Sequence, residues 1–440
     1  MKQPRTKLYI SLFELVKNYF KIIFGIDLHK GEKTLEFEKL MENHWRRKKC
    51  FTLSTARLGL YYVLKSLKLN GGDEVLLSPF QIPDFINVIL KLNLKPVFVE
   101  IDIQTKCLNI SDLERKITNK SKVILATYLT GIVPDIKILQ SICNENGIFF
   151  IEDISQSYGS MSNNMNAGSF GVASIGSFSP AKIISSIGGG FILVDDIEKI
   201  NFLEKTLSKE LSLPSKKVLL NICLFQIKIS LATSKYIFAY FTYYIFFLSS
   251  KFFNKKFQEL HNPAYKKLSK DRTIYDNPPI QRSLPKEFFF YFTDFQAKIA
   301  IRTFHQNINF GLKKRQLLAK ILYDNLSDSS KKHVPEIITK YDQNCFWHFP
   351  IIINSFDVKK FQSYLMSKGY DVVGYALRLC SSQAAFKSYN INLETAQSMH
   401  QNTLFLPLFD TSTDEDMRKI AQDINQFFIK FNNEPYLQKN

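Results

Sequence analysis

Between residues 50 and 200, short apolar runs alternate with stretches whose apolar positions recur at helical spacing. Residues 75–77, 96–101, 123–127, 148–151, 174–178 and 190–194 read as buried strands. Residues 58–67 and 136–146 carry helical patterns between them. Alternation at this spacing predicts an α/β fold with a mostly parallel central sheet and helices on both faces. Such sheets place ligand sites outside the C-terminal ends of their strands. From residue 285 the pattern changes. Helices are expected at 292–304 and 311–326, a strand at 346–353 and a helix at 358–369. A strand candidate at 371–377 leads to another at 404–408, and a last helix covers 413–428. This reads as a smaller α+β C-terminal domain. The expected division is a helical arm (1–49), a large domain (50–284) and a small domain (285–440).

Two stretches do not fit that alternation. Residues 218–250 are apolar and rich in aromatic side chains, interrupted by Lys228 and Lys235 alone among charged positions. A membrane-spanning helix needs ~20 mainly apolar residues, and 229–250 reaches that length. Lys216 and Lys217 precede the run; Lys251, Lys255, Lys256, Lys266, Lys267 and Lys270 follow it. Basic flanks suit an anionic cytoplasmic leaflet. Two readings stand open: membrane association as a hairpin, interfacial helix or span, or a buried helical pair or oligomer interface. A full span is the weakest form, since the sequences on either side both look like parts of one soluble fold. Residues 7–26 form the second stretch. Phe13, Leu15, Val16, Phe20, Ile22, Ile23 and Phe24 come close to helical spacing, among Lys7, Glu14, Lys17 and Lys21. The helix either packs on the body of the protein or lies on a membrane surface. No small-residue cleavage site follows it, so a secretory signal is not expected.

Composition narrows the partners. The chain has 440 residues with 58 Lys+Arg against 40 Asp+Glu, a net charge of +18, which favours anionic partners. Nucleic acid is not expected, because the basic residues are dispersed and neither a helix-turn-helix nor zinc spacing is visible. A hydrophobic share of 45% excludes a disordered chain. The six cysteines (50, 107, 143, 223, 345 and 380) form no CxxC pair, which suits reduced thiols and a cytoplasmic location. The histidines show no HExxH or paired spacing, so no metal is expected. Residues 45–49 are a short basic run, read as a solvated turn before the first strand or as a phosphate or membrane contact.

Three pieces carry chemistry. Ser54, Thr55, Ala56 and Arg57 precede a helical stretch, where free backbone N–H groups and the helix dipole suit a phosphate. Residues 149–156 (FFIEDISQ) are an apolar strand ending in carboxylates, which could hold a protonated ring nitrogen or a metal. Residues 168–191 bring Ser177 and then Lys182 into a Gly-rich turn. A lysine held among neighbouring groups can form a Schiff base with an aldehyde cofactor. Each piece alone has a plainer reading: a helix cap, a surface carboxylate, a solvated lysine.

In this order and spacing, from about residue 35 to 428, the pieces resemble the DegT/DnrJ/StrS-type sugar aminotransferases. These are pyridoxal 5'-phosphate enzymes of fold type I, the aspartate-aminotransferase fold. Residues 54–60 match the family's small-residue turn, and 70–75 (NGGDEV) its GDEV entry to the next strand. Glu152, Asp153 and Gln156 match E-D-x-x-Q, and residues 178–182 (FSPAK) match F-S-x-x-K. Residues 295–297 and 406–408 match weaker landmarks. The resemblance implies that Lys182 is the catalytic lysine, binding the cofactor aldehyde and then shuttling a proton. It implies that Asp153 pairs with the pyridinium nitrogen and that Gln156 bonds the ring hydroxyl. Ser177 and the backbone around Ala56 and Arg57 would hold the phosphate. The implied reaction transfers an amino group, with glutamate the expected donor, to a nucleotide-linked keto sugar for surface polysaccharide, in a homodimer. The alternative is a catalytically inactive regulatory or scaffold protein on a membrane or partner. The insertion would bring the enzyme to the inner membrane face.

The chain also departs from the pattern. Tyr158 stands where the family often has His, and Gly188 where it has an acidic residue. Ile82 stands where an aromatic often stacks on the ring, leaving Phe80 or Phe85 as substitutes. No Asn matches near residues 291–294. The dehydratase branch carries His at the lysine position, so Lys182 argues against it.

Overall fold

The computed structural model describes residues 2–252, 284–353, 355–372, 374, 378–389 and 393–431. Two helices come first, α1 (Leu12–Phe24) and α2 (Glu32–Trp45), followed by β1 (Lys49–Leu53) and α3 (Ala56–Ser66). Next are β2 (Glu74–Leu77), β3 (Phe80–Gln81), α4 (Pro83–Lys91), β4 (Lys95–Phe98), α5 (Ile110–Lys116) and β5 (Ser121–Thr127). Then follow α6 (Ile136–Asn146), β6 (Phe149–Asp153), a small hairpin of β7 (Met161–Ser162) and β8 (Met165–Asn166), β9 (Ala173–Ser177), β10 (Gly190–Val194) and α7 (Ile197–Glu210). Local chemistry sets several ends. Thr55 caps α3 by accepting from Leu58 N–H, and Asp135 caps α6 through Lys137 N–H. Gly147, at φ 62°, ends α6 in the left-handed conformation.

The main sheet has seven strands in the order β1-β10-β9-β6-β5-β2-β4. β9, β6, β5, β2 and β4 run parallel, and β10 is antiparallel to both neighbours. An edge strand leaves N–H groups open to another chain. On β1 they are covered: Cys50 and Thr52 N–H donate to Glu42 and Glu38 of α2. Helices cover both faces. Leu60, Val63 and Leu64 of α3, Phe85 and Ile86 of α4 and Leu203 of α7 pack on one side. Phe37, Met41 and Trp45 of α2, with Leu139 of α6, pack on the other.

The helix Asp294–Phe304 lies in that second layer, with Ala297, Ala300 and Phe304 against the α2 side chains. A π-helical stretch, His305–Gly311, joins it to the helix Leu312–Asp324, later than the expected start at 311. The smaller lobe's own core begins there. Leu318 and Leu322 pack with Phe361, Met417, Ile424 and Phe427 from the helices Ser355–Ser367 and Asp414–Phe431. β11 (Phe349–Ile352) and β13 (Thr403–Leu406) pair antiparallel within this lobe, and β12 (Arg378–Leu379) pairs back to β3. Phe346 has φ 48°, which breaks the extended backbone, so β11 starts later than the expected 346. The N-terminal strand crosses to this lobe: Gln3 bridges Tyr370, and Arg5 holds Asp371 through two guanidinium nitrogens.

The apolar run folds as α8 (Lys216–Ala232), α9 (Lys235–Ile237), a π-helical turn (Phe238–Thr242) and α10 (Tyr243–Phe252). The stretches 216–232 and 235–245 are bent by 55° at the break. No single described helix is long and apolar enough to cross a membrane. One side packs inward: Leu219 and Cys223 of α8 meet Leu15 and Ile22 of α1. Lys255, Lys256, Lys266, Lys267 and Lys270 lie outside the described residues, as does most of the strand candidate at 371–377.

Candidate active site

The site gathers where β5, β6 and β9 end. Glu152, the penultimate residue of β6, has no solvent exposure and organises the approach. Its Oε1 accepts from Gly168 N–H (2.8 Å) and the Tyr128 hydroxyl (3.0 Å). Its Oε2 accepts from Phe170 and Gly171 N–H (2.8 and 2.7 Å) and from the Ser174 hydroxyl (3.3 Å). The loop that feeds β9 is thereby tied to β6. Asp153, one residue on, turns its carboxylate toward the opposite face of the strand, as strand alternation dictates. It accepts from Ser155 N–H (3.0 Å) and from the Thr127 hydroxyl (3.5 Å), and Gln81 Nε2 donates to that hydroxyl in turn (2.6 Å). Burial raises the Asp153 pKa, against the pull of the Ser155 hydrogen bonds, Lys182 and Thr127.

Gln156 accepts from Thr130 N–H at 2.9 Å. That bond fixes the amide oxygen and leaves the NH₂ as the end that can donate. Ser177 closes β9. Tyr158 clamps it on both sides, donating to Ser177 O (2.7 Å) and accepting from Ser177 N–H (2.6 Å). The hydroxyls of Ser177 and Ser179 lie 2.9 Å apart. Gly190 pairs with Ser177 across the sheet, and a Cβ there would sit 2.3 Å from Ala56 N. Glycine lets the first turn of α3 lie against this edge, so Ala56 and Arg57 come beside Ser177. The Arg57 side chain is occupied elsewhere, 2.6 Å from Asp84 and over the Phe288 ring at 4.9 Å.

Lys182 follows in the turn after β9, its N–H bonded to Ser179 O. Among the described residues, no hydrogen bond or ion pair holds its amine. Nζ sits 4.1 Å from the centre of the Trp347 ring, and Trp347 Nε1 is bonded to Ala181 O at 2.9 Å. Desolvation pulls the Lys182 pKa down to about 8, with Asp153 and Cys345 acting the other way. His348, stacked on Phe405 at 5.1 Å, is lowered to about 3 by burial and then by the Lys182 charge. It is therefore a neutral neighbour. Cys345 donates to Gln156 O at 3.3 Å, which ties residues 345–348 to the end of β6.

The six residues named from sequence thus gather at one end of the sheet: Asp153 and Lys182 within reach of each other's charge, Gln156 on the loop after β6, and Ser177 beside Ala56 and Arg57 at the start of α3. Phe80 and Phe85 do not line it. Both are buried in the core, Phe80 stacked on His400. The aromatic ring beside the amine is Trp347. Sequence reasoning also missed Glu152 as a hub, Tyr158 as a clamp, and Thr127 with Gln81 behind Asp153. Trp347 and Tyr158 stand far from Lys182 and Ser177 in sequence, and no spacing rule links them.

A near-neutral amine, a facing carboxylate, an amide donor and a hydroxyl beside a helix start fit an aldehyde-bearing pyridine with a phosphate arm. The site and fold define a pyridoxal-phosphate enzyme of fold type I. The model of the DegT/DnrJ/EryC1/StrS aminotransferase family matches residues 17–210 and 246–425, and this chain belongs to that family. Its cofactor is pyridoxal phosphate. Among curated relatives, GDP-perosamine synthase of Vibrio cholerae is 30% identical over 164 residues, 37% of this chain and 45% of that protein. The match therefore spans less than half of that relative's length. Two solved structures share the fold. PseC of Helicobacter pylori, an aminotransferase involved in the biosynthesis of pseudoaminic acid, gives a TM-score of 0.73 at 17% identity, covering 98% of this chain and all of that one. The E. coli GDP-4-keto-6-deoxy-D-mannose-3-dehydratase with bound hydrated PLP gives 0.69 at 17% identity, covering 96% and 99%.

Proposed function

We propose that the chain is an aminotransferase that moves an amino group from glutamate to the keto group of a nucleotide-linked sugar. The observation that carries the reading is the Lys182 amine, untethered at a pKa of about 8, beside the Trp347 ring and coupled to Asp153. Pyridoxal phosphate, when bound, supplies a carbonyl for the amino group and a ring that takes up electrons from the donor's Cα. Lys182 is the proton carrier: near pH 8 about half of it is neutral and half protonated, so it can take a proton at Cα and return one. Asp153 would pair with the ring nitrogen. Gln156 would donate to the ring oxygen through its NH₂. Ser177 and the N–H groups opening α3 would hold the phosphate. The Trp347 ring covers one side of the amine.

The substrate class rests on the relatives: GDP-perosamine synthase and a UDP-N-acetyl-3-dehydro-alpha-D-glucosamine 3-aminotransferase both name a nucleotide sugar. The net charge of +18 suits a sugar nucleotide's diphosphate. The same reading includes a homodimer working in the cytoplasm at the inner membrane face, in surface-polysaccharide synthesis. The inactive-scaffold alternative leaves the intact set of Lys182, Asp153 and Gln156 without a use. The test is to incubate purified protein with pyridoxal phosphate, glutamate and a panel of keto-sugar nucleotides, measuring 2-oxoglutarate. Release with one sugar, and none from Lys182→Ala, supports the reading. No release with any sugar overturns it.

A further inference from the structure

The layer formed by α1 and the 216–252 helices is apolar on two sides. Its inner side packs: Leu15 and Ile22 meet Leu219 and Cys223. Its outer side exposes aromatic side chains among the described residues. Phe13, Phe20 and Phe24 recur along one stripe of α1 and are 81%, 54% and 74% exposed. On the bent pair, Tyr236, Tyr240 and Phe241 are 70%, 68% and 67% exposed. Apolar exposure on this scale marks an interaction surface.

The layer is fixed to the body at several points. Cys223 Sγ donates to Leu15 O, and Lys216 Nζ to Ile23 O. Tyr243 hydroxyl donates to Met366 O and Lys2 Nζ to Ala239 O, while Lys2 Nζ lies 3.6 Å from the centre of the Tyr244 ring. The rings are therefore held outward from a firm base.

Charge identifies the partner. Residues 211–258 contain no Asp or Glu, but carry lysines at 216, 217, 228, 235, 251, 255 and 256. On α1, Lys17 and Lys21 flank the stripe, and its one acidic residue, Glu14, is bound to Arg302. A second copy of the same face would set lysine against lysine. A sheet of lipid phosphates would not, and phenol and phenyl rings sit well at the headgroup level. No single described helix is long and apolar enough to cross a bilayer, and α8 is packed against α1 along its inner side. Residues 211–245 fall in the gap between the two family-matched stretches, so the bent pair from α8 to the start of α10 is an addition to what the family shares, laid against an α1 whose residues 17–24 are matched.

We propose that α1 and the 216–252 helices form an in-plane anchor that seats the protein on an anionic lipid bilayer. The inference does not depend on the sugar substrate or on catalysis. The test is flotation of the full chain with vesicles of phosphatidylcholine alone, or with phosphatidylglycerol at roughly 7 to 3. The protein should float with the anionic vesicles and release as salt is raised. Phe20→Glu with Phe24→Glu, and separately Tyr240→Glu with Phe241→Glu, should each lower partitioning by about tenfold or more. Both variants should keep the circular dichroism melt and pyridoxal-phosphate absorbance of the parent, which separates lost anchoring from lost folding. Three results overturn the proposal. The parent chain fails to float with anionic vesicles, or both variants float like the parent, or they break a dimer on size exclusion while their vesicle binding is unchanged.

Discussion

Replacing Glu152 by Gln keeps the shape of the side chain and changes one oxygen into a donor. Five donors converge on the two carboxylate oxygens: Gly168, Phe170 and Gly171 N–H and the hydroxyls of Tyr128 and Ser174. The new NH₂ must face one of the two groups. The better choice is the Oε1 side, because the Tyr128 hydroxyl can turn and accept, whereas Gly168 N–H cannot. One buried N–H is then orphaned, at ~1–3 kcal/mol. The Phe170 and Gly171 bonds change from charge-assisted to neutral, at roughly 1 kcal/mol each. The sum is about 3–5 kcal/mol, lodged in the loop that leads into β9 and Ser177. Native-state hydrogen exchange reads it locally: the Gly168, Phe170 and Gly171 amides should exchange about a hundredfold faster or more, with little change in the small lobe. Affinity for pyridoxal phosphate should fall with them. Exchange within threefold of the parent at all three amides would refute the hub assignment.

Further outcomes follow from the same geometry. Tyr158→Phe removes both bonds to Ser177 and should weaken pyridoxal-phosphate binding by roughly thirtyfold, at ~1 kcal/mol per bond, read by absorbance titration. The rate of cofactor loading should rise with pH through a midpoint near 8, as the Lys182 amine loses its proton. Asp153→Asn should move that midpoint lower, since the carboxylate favours the ammonium. The native pKa of Lys182 lies below the ~10.4 of an unfolded lysine, so the unfolded state binds the extra proton. The apoprotein should therefore gain stability from this group as pH rises from about 8 toward 10, measured by urea unfolding across that range. Arg5→Ala leaves the almost fully buried Asp371 without its partner and should cost about 3–5 kcal/mol in the docking of the N-terminal strand, seen as faster exchange at Gln3 and Asp371.

Much of this was readable in the chain, and the reasons are local. The buried strands show as Val/Ile/Leu runs because both faces of a parallel strand are covered, as with residues 75–77 and 123–127. Thr55 and Asp135 announce their helices through cap chemistry. Strand ends were less legible. β4 stops at Phe98, where the carboxylate of Glu100 turns to Thr395 and Ala396 N–H, contacts nearly 300 positions away. The acid, amide and amine of the cleft were legible because they sit in short motifs at strand ends. Trp347, His348 and Tyr158 were not, since only the folded chain carries them to Lys182 and Ser177. The run at 218–250 carried two signals at once: Leu219 and Cys223 pack inward, while Tyr236, Tyr240 and Phe241 are exposed.

The account stands on the chemistry of one amine. Reduction of the pyridoxal-phosphate-loaded protein with borohydride, followed by peptide mapping, tests it most directly. The expected result is a single pyridoxyl label on Lys182, with the yellow absorbance lost and no label in Lys182→Ala. A label on a different lysine, or a Lys182→Ala protein that still turns yellow and still takes the label, would contradict it.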